Sequence, residues 1–255
     1  MTANHLYFVG TAGCGKSTLT NAFLAWLQNQ GYDAITVNLD PGADSLLYAP
    51  DVDVRDWIKL SEVMEQYGLG PNGAQIAAAD LLALNIKEIS QVINGFDTDY
   101  VLVDTPGQVE LFAFRQSSRI VIEELSGDDA VLAYLFDPAM AKSANGFVSS
   151  LMLSATVQFR LPFPMITLLA KSDTVSDADW KRMESWSGDY YSLFNALLDE
   201  SVDAQTQVNA EFLQALETVG AGHGLMPVSA DSGEGIEDVY AMVQRILEAG
   251  EDVER

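Results

Sequence analysis

The sequence predicts an α/β fold: a mostly parallel sheet covered by helices on both faces, with inserted helices. Three observations predict it. Short apolar runs alternate with longer amphipathic stretches, as in chains of βαβ units. Several of those runs are apolar nearly throughout, as strands buried on both faces must be. A glycine-rich turn joins the first apolar run, Leu6–Val9, to the first amphipathic stretch, Leu19–Leu27.

In chain order, strands are expected over His5–Gly10, Asp33–Leu39, Asp99–Asp104, Ala130–Asp137, Met165–Ala170 and Leu225–Ser229. Helices are expected over Lys16–Gln30, Gly73–Asn94, Gln108–Leu125, Ala144–Arg160, Asp203–Val219 and Glu234–Ala249. Gly31, Gly95 and Gly220 stand just past helical patterns, where C′ glycines end helices. The long stretch 40–98 carries Asp40-Pro41-Gly42 and then Gly70-Pro71-Asn72-Gly73. Residues 172–222 read as extra helices before the last strand. No repeat or low-complexity linker divides the chain. One domain over 1–255 is expected, with helical insertions at about 55–98 and 172–222.

A chain of 255 residues buries enough surface to fold without a disulfide or a metal. The single cysteine, Cys14, excludes an intrachain disulfide and fits a reducing compartment. No segment reaches the length of uninterrupted apolar chain that a membrane span needs, so no membrane contact is expected. Met1–Val9 lacks the basic and then apolar build of a secretory signal, so a cytoplasmic location is expected. The charge is unusual: 37 acidic residues face 13 basic ones, a formal −24. Such a field repels nucleic acid, and no basic patch offers it a surface. Acids spread along the whole chain, with few lysines, fit adaptation to molar salt. There a Debye length of about 3 Å screens self-repulsion.

Gly10-Thr11-Ala12-Gly13-Cys14-Gly15-Lys16-Ser17-Thr18 matches the phosphate-loop pattern in full. Glycines let backbone N–H groups crowd around phosphate oxygens, and the positive end of the following helix adds to this. Lys16 would reach the β- and γ-phosphates, and the Ser17 hydroxyl would ligate Mg2+. Cys14 lies within the binding loop but at a variable position, so it reads as filler and not as a redox centre. The motif specifies a three-layer P-loop NTPase fold. Such a loop needs a carboxylate to manage Mg2+, and Asp104-Thr105-Pro106-Gly107 supplies one. It follows an apolar strand, so Asp104 should stand at the ligand edge of the sheet. The Gly107 N–H should face the γ-phosphate.

These motifs, taken in order, resemble the GPN-loop GTPases of archaeal type, in the SIMIBI branch of P-loop GTPases. The resemblance rests on the phosphate loop, on Asn38-Leu39-Asp40-Pro41-Gly42-Ala43, on Asp51-Val52-Asp53-Val54-Arg55-Asp56, on Gly70-Pro71-Asn72, and on Asp104-Thr105-Pro106-Gly107-Gln108-Val109-Glu110. It implies a homodimer in which the loop Gly70-Pro71-Asn72 reaches the partner's site and Asn72 acts in trans near the γ-phosphate. It further implies that Asp40, Gln108 and Glu110 lie near the attacking water, with Gln108 orienting it. A protein client such as an RNA polymerase subunit is implied by the eukaryotic relatives. No arginine finger is evident; Arg55, Arg115 and Arg119 lie near motif segments and are expected to pair with acids.

Guanine is expected to be read by Ala170-Lys171-Ser172-Asp173, which resembles the Asn-Lys-x-Asp motif of GTPases. Lys171 and Asp173 match, and alanine stands at the first position. Asp173 would bond the guanine N1–H and 2-amino group, which adenine does not offer. Ser229-Ala230 resembles the segment whose backbone N–H meets the guanine O6. The expected ligands are therefore GTP and GDP with Mg2+, and the expected reaction is hydrolysis of GTP as a dimeric switch. A GTP-binding scaffold without turnover stays open on sequence alone. Lys171 and Asp173 argue against an ATP-dependent relative. One cysteine and the isolated His5 and His223 argue against a metallochaperone, which needs a Cys/His ligand set.

Overall fold

The computed structural model describes residues 3–113, 115–127, 129–200, 204–218 and 224–253. Among the described residues, seven strands form one sheet: β1 (Asn4–Gly10), β2 (Ala34–Asn38), β3 (Val52–Asp53), β4 (Tyr100–Asp104), β5 (Ala130–Phe136), β6 (Met165–Leu169) and β7 (Leu225–Pro227). The order is β3-β2-β4-β1-β5-β6-β7, and every pairing is parallel. Two-residue β3 was not expected, because so short a strand has no periodicity to read. It pairs with Val37 and Asn38 at the sheet edge.

The helices are α1 (Lys16–Gln30), α2 (Leu60–Tyr67), α3 (Pro71–Ile93), α4 (Val109–Ala113), α5 (Gln116–Ser126), α6 (Pro138–Ala141), α7 (Ala144–Arg160), α8 (Asp177–Gly188), α9 (Tyr190–Glu200), α10 (Ala204–Thr218) and α11 (Ile236–Val253). None of them is long and apolar enough to cross a membrane. The two sheet faces carry separate cores. Leu6, Phe8, Val131, Ala133 and Leu135 pack with α1 and α11. Tyr7, Val9, Leu132, Tyr134 and Phe136 pack with α3, α5 and α7 on the other face. Strand side chains alternate between faces, so burying both faces makes the whole run apolar.

Helix ends follow local chemistry. Gly31 closes α1 in the left-handed conformation, at φ 88°. Ser143 and Ser176 cap α7 and α8 by accepting from the N–H groups of Gly146 and Asp179. Helix α3 begins at Pro71, two residues earlier than expected, because proline suits the first helical position. Two expectations are corrected. Gly95 is not a left-handed C′ residue: α3 runs out through right-handed Asn94, and the Gly95 N–H turns back to Val92 O. The expected helix Gln108–Leu125 is two helices. Arg115 is extended, at φ −95° and ψ 140°, and its guanidinium pairs with Asp80 of α3. The apolar spacing of Val109, Phe112, Val121 and Leu125 runs across that break and conceals it. Gly220, His223 and both ends of the expected helix Asp203–Val219 lie outside the described residues.

Candidate nucleotide site

The carboxyl ends of β1, β2 and β4 lie side by side, with Phe8 and Asn38 both in register with Asp104. Open parallel sheets bind ligands at this edge. The turn from β1 into α1 is built for close approach. A Cβ on Gly10 would stand 2.8 Å from Cys14 Sγ and 2.9 Å from Leu135 O. Gly15 has φ 105°, which other residues rarely adopt. Buried Lys16 donates from Nζ to Gly10 O at 3.0 Å and Thr11 O at 3.1 Å, so its ammonium lies against the inside of the loop. Cys14 is fully buried, and burial pushes its thiol up, which supports the packing role. Ser17 and Thr18 follow on the first turn of α1, half-buried.

Asp104 is only 2% exposed. Burial raises its carboxyl above the ordinary range, against the opposing pull of the Ser17 hydroxyl, the Lys16 charge and the Tyr48 hydroxyl. Its Oδ2 accepts from the Tyr48 hydroxyl at 3.2 Å, and burial together with the Asp104 charge pushes that phenol far up in turn. Its Oδ1 is buried with no hydrogen-bond partner among the described residues. A buried carboxylate with one oxygen unpartnered among the described residues, close to a helix-start hydroxyl, suits a hard cation that takes oxygen ligands and few protein groups. Ser17 and Asp104 therefore fit Mg2+.

Asp40 joins two loops. Its Oδ1 accepts from Gly42 N at 2.9 Å and its Oδ2 from Gly107 N at 3.1 Å. The Gly107 N–H, expected to face a phosphate, is engaged by Asp40 in this structure. Asn38 braces the Asp40 backbone, accepting from its N at 3.0 Å and donating to its O at 3.2 Å. Asp40, Gly107, Gln108 and Ala12 line one cavity of about 210 Å³ together with Gln75 and Phe112. Gln108 is exposed at its mouth. Glu110 lies on α4, and its side chain falls outside the described residues. Gly70, Pro71 and Asn72 are exposed at the start of α3, outside the lining of this cavity and of the next.

A second cavity, of about 230 Å³, opens beside the phosphate loop and is lined by Gly15, Thr18, Ala170, Lys171, Asp173 and Ala230, among others. Lys171 adopts φ 53° and donates to Gly13 O at 2.6 Å and Asp137 Oδ2 at 3.2 Å. It thus ties the segment after β6 to the phosphate loop and to the end of β5. Buried Ser229 donates to Asp173 Oδ1 at 2.6 Å and accepts from Ser232 N at 3.1 Å. Ala170 is buried in the wall and offers no polar group there. The arginines pair as expected: Arg55 with Asp53, Arg115 with Asp80, and Arg119 with Glu123.

Sequence reasoning missed Tyr48, Gln75 and Asp137. Gln75 adds a buried Oε1 with no hydrogen-bond partner among the described residues, beside the first cavity. Asp137 directly follows an apolar strand, as Asp104 does, and that position was a usable signal. Tyr48 and Gln75 belong to no pattern that names them.

Residues 8–249 match a family described as a conserved hypothetical ATP binding protein. The GPN-loop GTPase PAB0955 of Pyrococcus abyssi is 33% identical over 238 residues, which cover 92% of this chain and 94% of that protein. The chain belongs to the GPN-loop GTPase family. The crystal structure of the P. abyssi GTPase in apo form matches the fold with a TM-score of 0.83 at 31% identity, over 95% of this chain and 97% of the other. GPN-loop GTPase 1 of Dictyostelium discoideum and GPN-loop GTPase QQT2 of Arabidopsis thaliana are 28% and 30% identical over 94% of this chain. This GPN-loop family member spans only 60% and 63% of the length of those two relatives.

Proposed function

We propose that this protein binds GTP with Mg2+ and hydrolyses it to GDP and phosphate, as a homodimeric, cytoplasmic switch folded as one domain. The observation that carries the reading is Asp104: a buried carboxylate beside Ser17 and Lys16, with one oxygen lacking a partner among the described residues. Keeping such a group half-satisfied costs on the order of 1–3 kcal/mol, which a metal-binding role explains. Bound there through Ser17 and Asp104, Mg2+ would neutralise charge on the β- and γ-phosphates.

The protein's own groups then have distinct tasks. Backbone N–H groups of the loop Gly10–Thr18 cradle the phosphates, with the dipole of α1 behind them. Lys16 moves its ammonium from the loop carbonyls to the β- and γ-oxygens. Gln108 and Asp40, on one cavity with Gly107, hold the attacking water in line, and Glu110 adds a nearby acceptor. Catalysis by such a set is positioning and charge neutralisation. Asn72 is exposed on this chain, which suits a group offered to a second copy. An amide can donate to a phosphate oxygen or accept from a water. The gain of the switch is a change of shape passed to a protein client, such as an RNA polymerase subunit.

The family description names ATP, whereas the relatives are named as GTPases. Asp173 on the second cavity favours guanine, because a carboxylate can accept from N1–H and the 2-amino group together. Ser229 orients Asp173, and Ala230 offers a backbone N–H on the same wall. Turnover of GTP and ATP in molar KCl tests the proposal, with wild type, Lys16→Ala, Asn72→Ala and Asp173→Asn. GTP should be hydrolysed by wild type and not by Lys16→Ala. Asp173→Asn should weaken GTP strongly and leave ATP unchanged. No GTP turnover by wild type would leave only a GTP-binding scaffold, and full activity in Asn72→Ala would remove the trans-acting loop.

A further inference from the structure

The stretch from Pro41 to Asp56, which follows Asp40, has no task in the hydrolysis scheme, yet it is fastened firmly. At one end, Arg55 Nη1 donates to Ala43 O at 2.8 Å. Arg55 is itself held by Asp53, through Nη2 to Oδ2 at 2.6 Å and Nε to Oδ1 at 3.0 Å. Burial raises the Asp53 carboxyl, but its bonds from Arg55 and Asn38 outweigh burial and hold it below the ordinary range. At the other end, Asp51 Oδ2 accepts from Thr36 N at 2.8 Å and Thr36 Oγ1 at 3.1 Å, and Asp51 N donates to Thr36 O at 3.0 Å. The strap between Ala43 and Asp51 is therefore pinned to β2 at one end and to the Asp53–Arg55 pair at the other. This accounts for the motif Asp51–Asp56, which the catalytic reading leaves unused.

The strap delivers one group to the site. Tyr48 reaches Asp104 and donates its hydroxyl to Oδ2 at 3.2 Å, while Oδ1 stays buried without a partner among the described residues. A carboxylate turns easily about its last torsion, whose preference is broad. Holding one oxygen fixes where the other points. We propose that Tyr48 is a positioning residue for the metal: its hydroxyl clamps Asp104 Oδ2, so that Oδ1 is pre-aimed at the divalent cation shared with Ser17. Groups that orient metal ligands in this way typically change metal affinity by about 10–100-fold when removed. The proposal rests on reading Ser17 and Asp104 as the Mg2+-holding pair.

Tyr48→Phe removes the hydroxyl and keeps the ring, so the strap retains its packing. The experiment follows binding of a fluorescent GDP analogue at fixed KCl, first in EDTA and then across a MgCl2 titration. Wild type, Tyr48→Phe and Asp104→Asn are compared, and thermal unfolding in EDTA reports folding. Tyr48→Phe should raise the Mg2+ midpoint about tenfold and leave GDP affinity in EDTA within about twofold of wild type. Asp104→Asn should abolish the Mg2+ response. An unchanged midpoint in Tyr48→Phe, in a wild type that does respond to Mg2+, would overturn the clamp alone. So would an equal loss of GDP affinity with and without Mg2+, which marks a merely structural tyrosine. A wild type indifferent to Mg2+ would overturn the metal-holding pair, and the clamp with it.

Discussion

Replacing Asp104 by asparagine should make the nucleotide-free protein more stable while destroying its response to Mg2+. Asp104 is 2% exposed, and its Oδ1 has no partner among the described residues. Leaving a buried polar group unpaired costs about 1–3 kcal/mol, and more when the group is charged. Asparagine removes the charge at nearly constant volume and can still meet the Ser17 and Tyr48 hydroxyls. The expected gain is therefore about 1–3 kcal/mol. For a chain of this length each kcal/mol shifts the melting temperature by roughly 2–4 °C, so the variant should melt about 2–12 °C higher. The assay is thermal unfolding in EDTA at fixed molar KCl, repeated with GDP and with GDP plus MgCl2. Wild type should gain stability from MgCl2 in the presence of GDP, because a ligand bound only to the folded state stabilises it. The variant should start higher and gain nothing from MgCl2. A lower melting temperature in EDTA, or a preserved MgCl2 increment, would refute the reasoning.

Further outcomes follow from other residues. Ala170→Asn restores an amide beside the base cavity and should tighten guanine nucleotides about fivefold, the worth of one net hydrogen bond near 1 kcal/mol, as read by GDP titration. Gly10→Ala forces a Cβ to 2.9 Å from a backbone oxygen, so denaturant unfolding should show a loss of about 1–3 kcal/mol. Burial lowers the pKa of His5, opposed by the Ala3 carbonyl and Asp129. The unfolded chain therefore takes up the proton first as pH falls through about 6.5, and that part of stability, present above this pH, is lost below it. Stability of wild type relative to His5→Gln should accordingly decline between pH 7.5 and 5, and a constant difference would contradict this. The net charge of −24 should make the melting temperature rise steeply from low to molar KCl, and a flat profile would contradict adaptation to salt.

The candidate phosphate loop was legible because its pattern is local: glycines, Lys16 and Ser17 fall within one turn. Asp104 was legible for a related reason, since an acid ending an apolar run must stand at the sheet edge. Asp173 and Ser229 were each noticed, but their bond joins positions 56 residues apart. The break between α4 and α5 was hidden, because a continuous apolar stripe cannot report an extended residue within it. Tyr48 was hidden because a tyrosine in a loop carries no pattern.

The sequence by itself determined the layers of the fold, through alternating burial along each strand, and marked the turn after β1 as the candidate phosphate loop. Only the tertiary structure decided which loops meet. Placing β4 between β2 and β1 sets Asp104 beside both Asn38 and Phe8. That order lets Asp40 reach Gly107, 67 residues away, Tyr48 reach Asp104, 56 away, and Lys171 reach Gly13, 158 away. Periodicity and motif spacing describe neighbours along the chain. Strand order is settled by how the two faces of the sheet are covered at once, and the polar contacts that complete the site follow from that order.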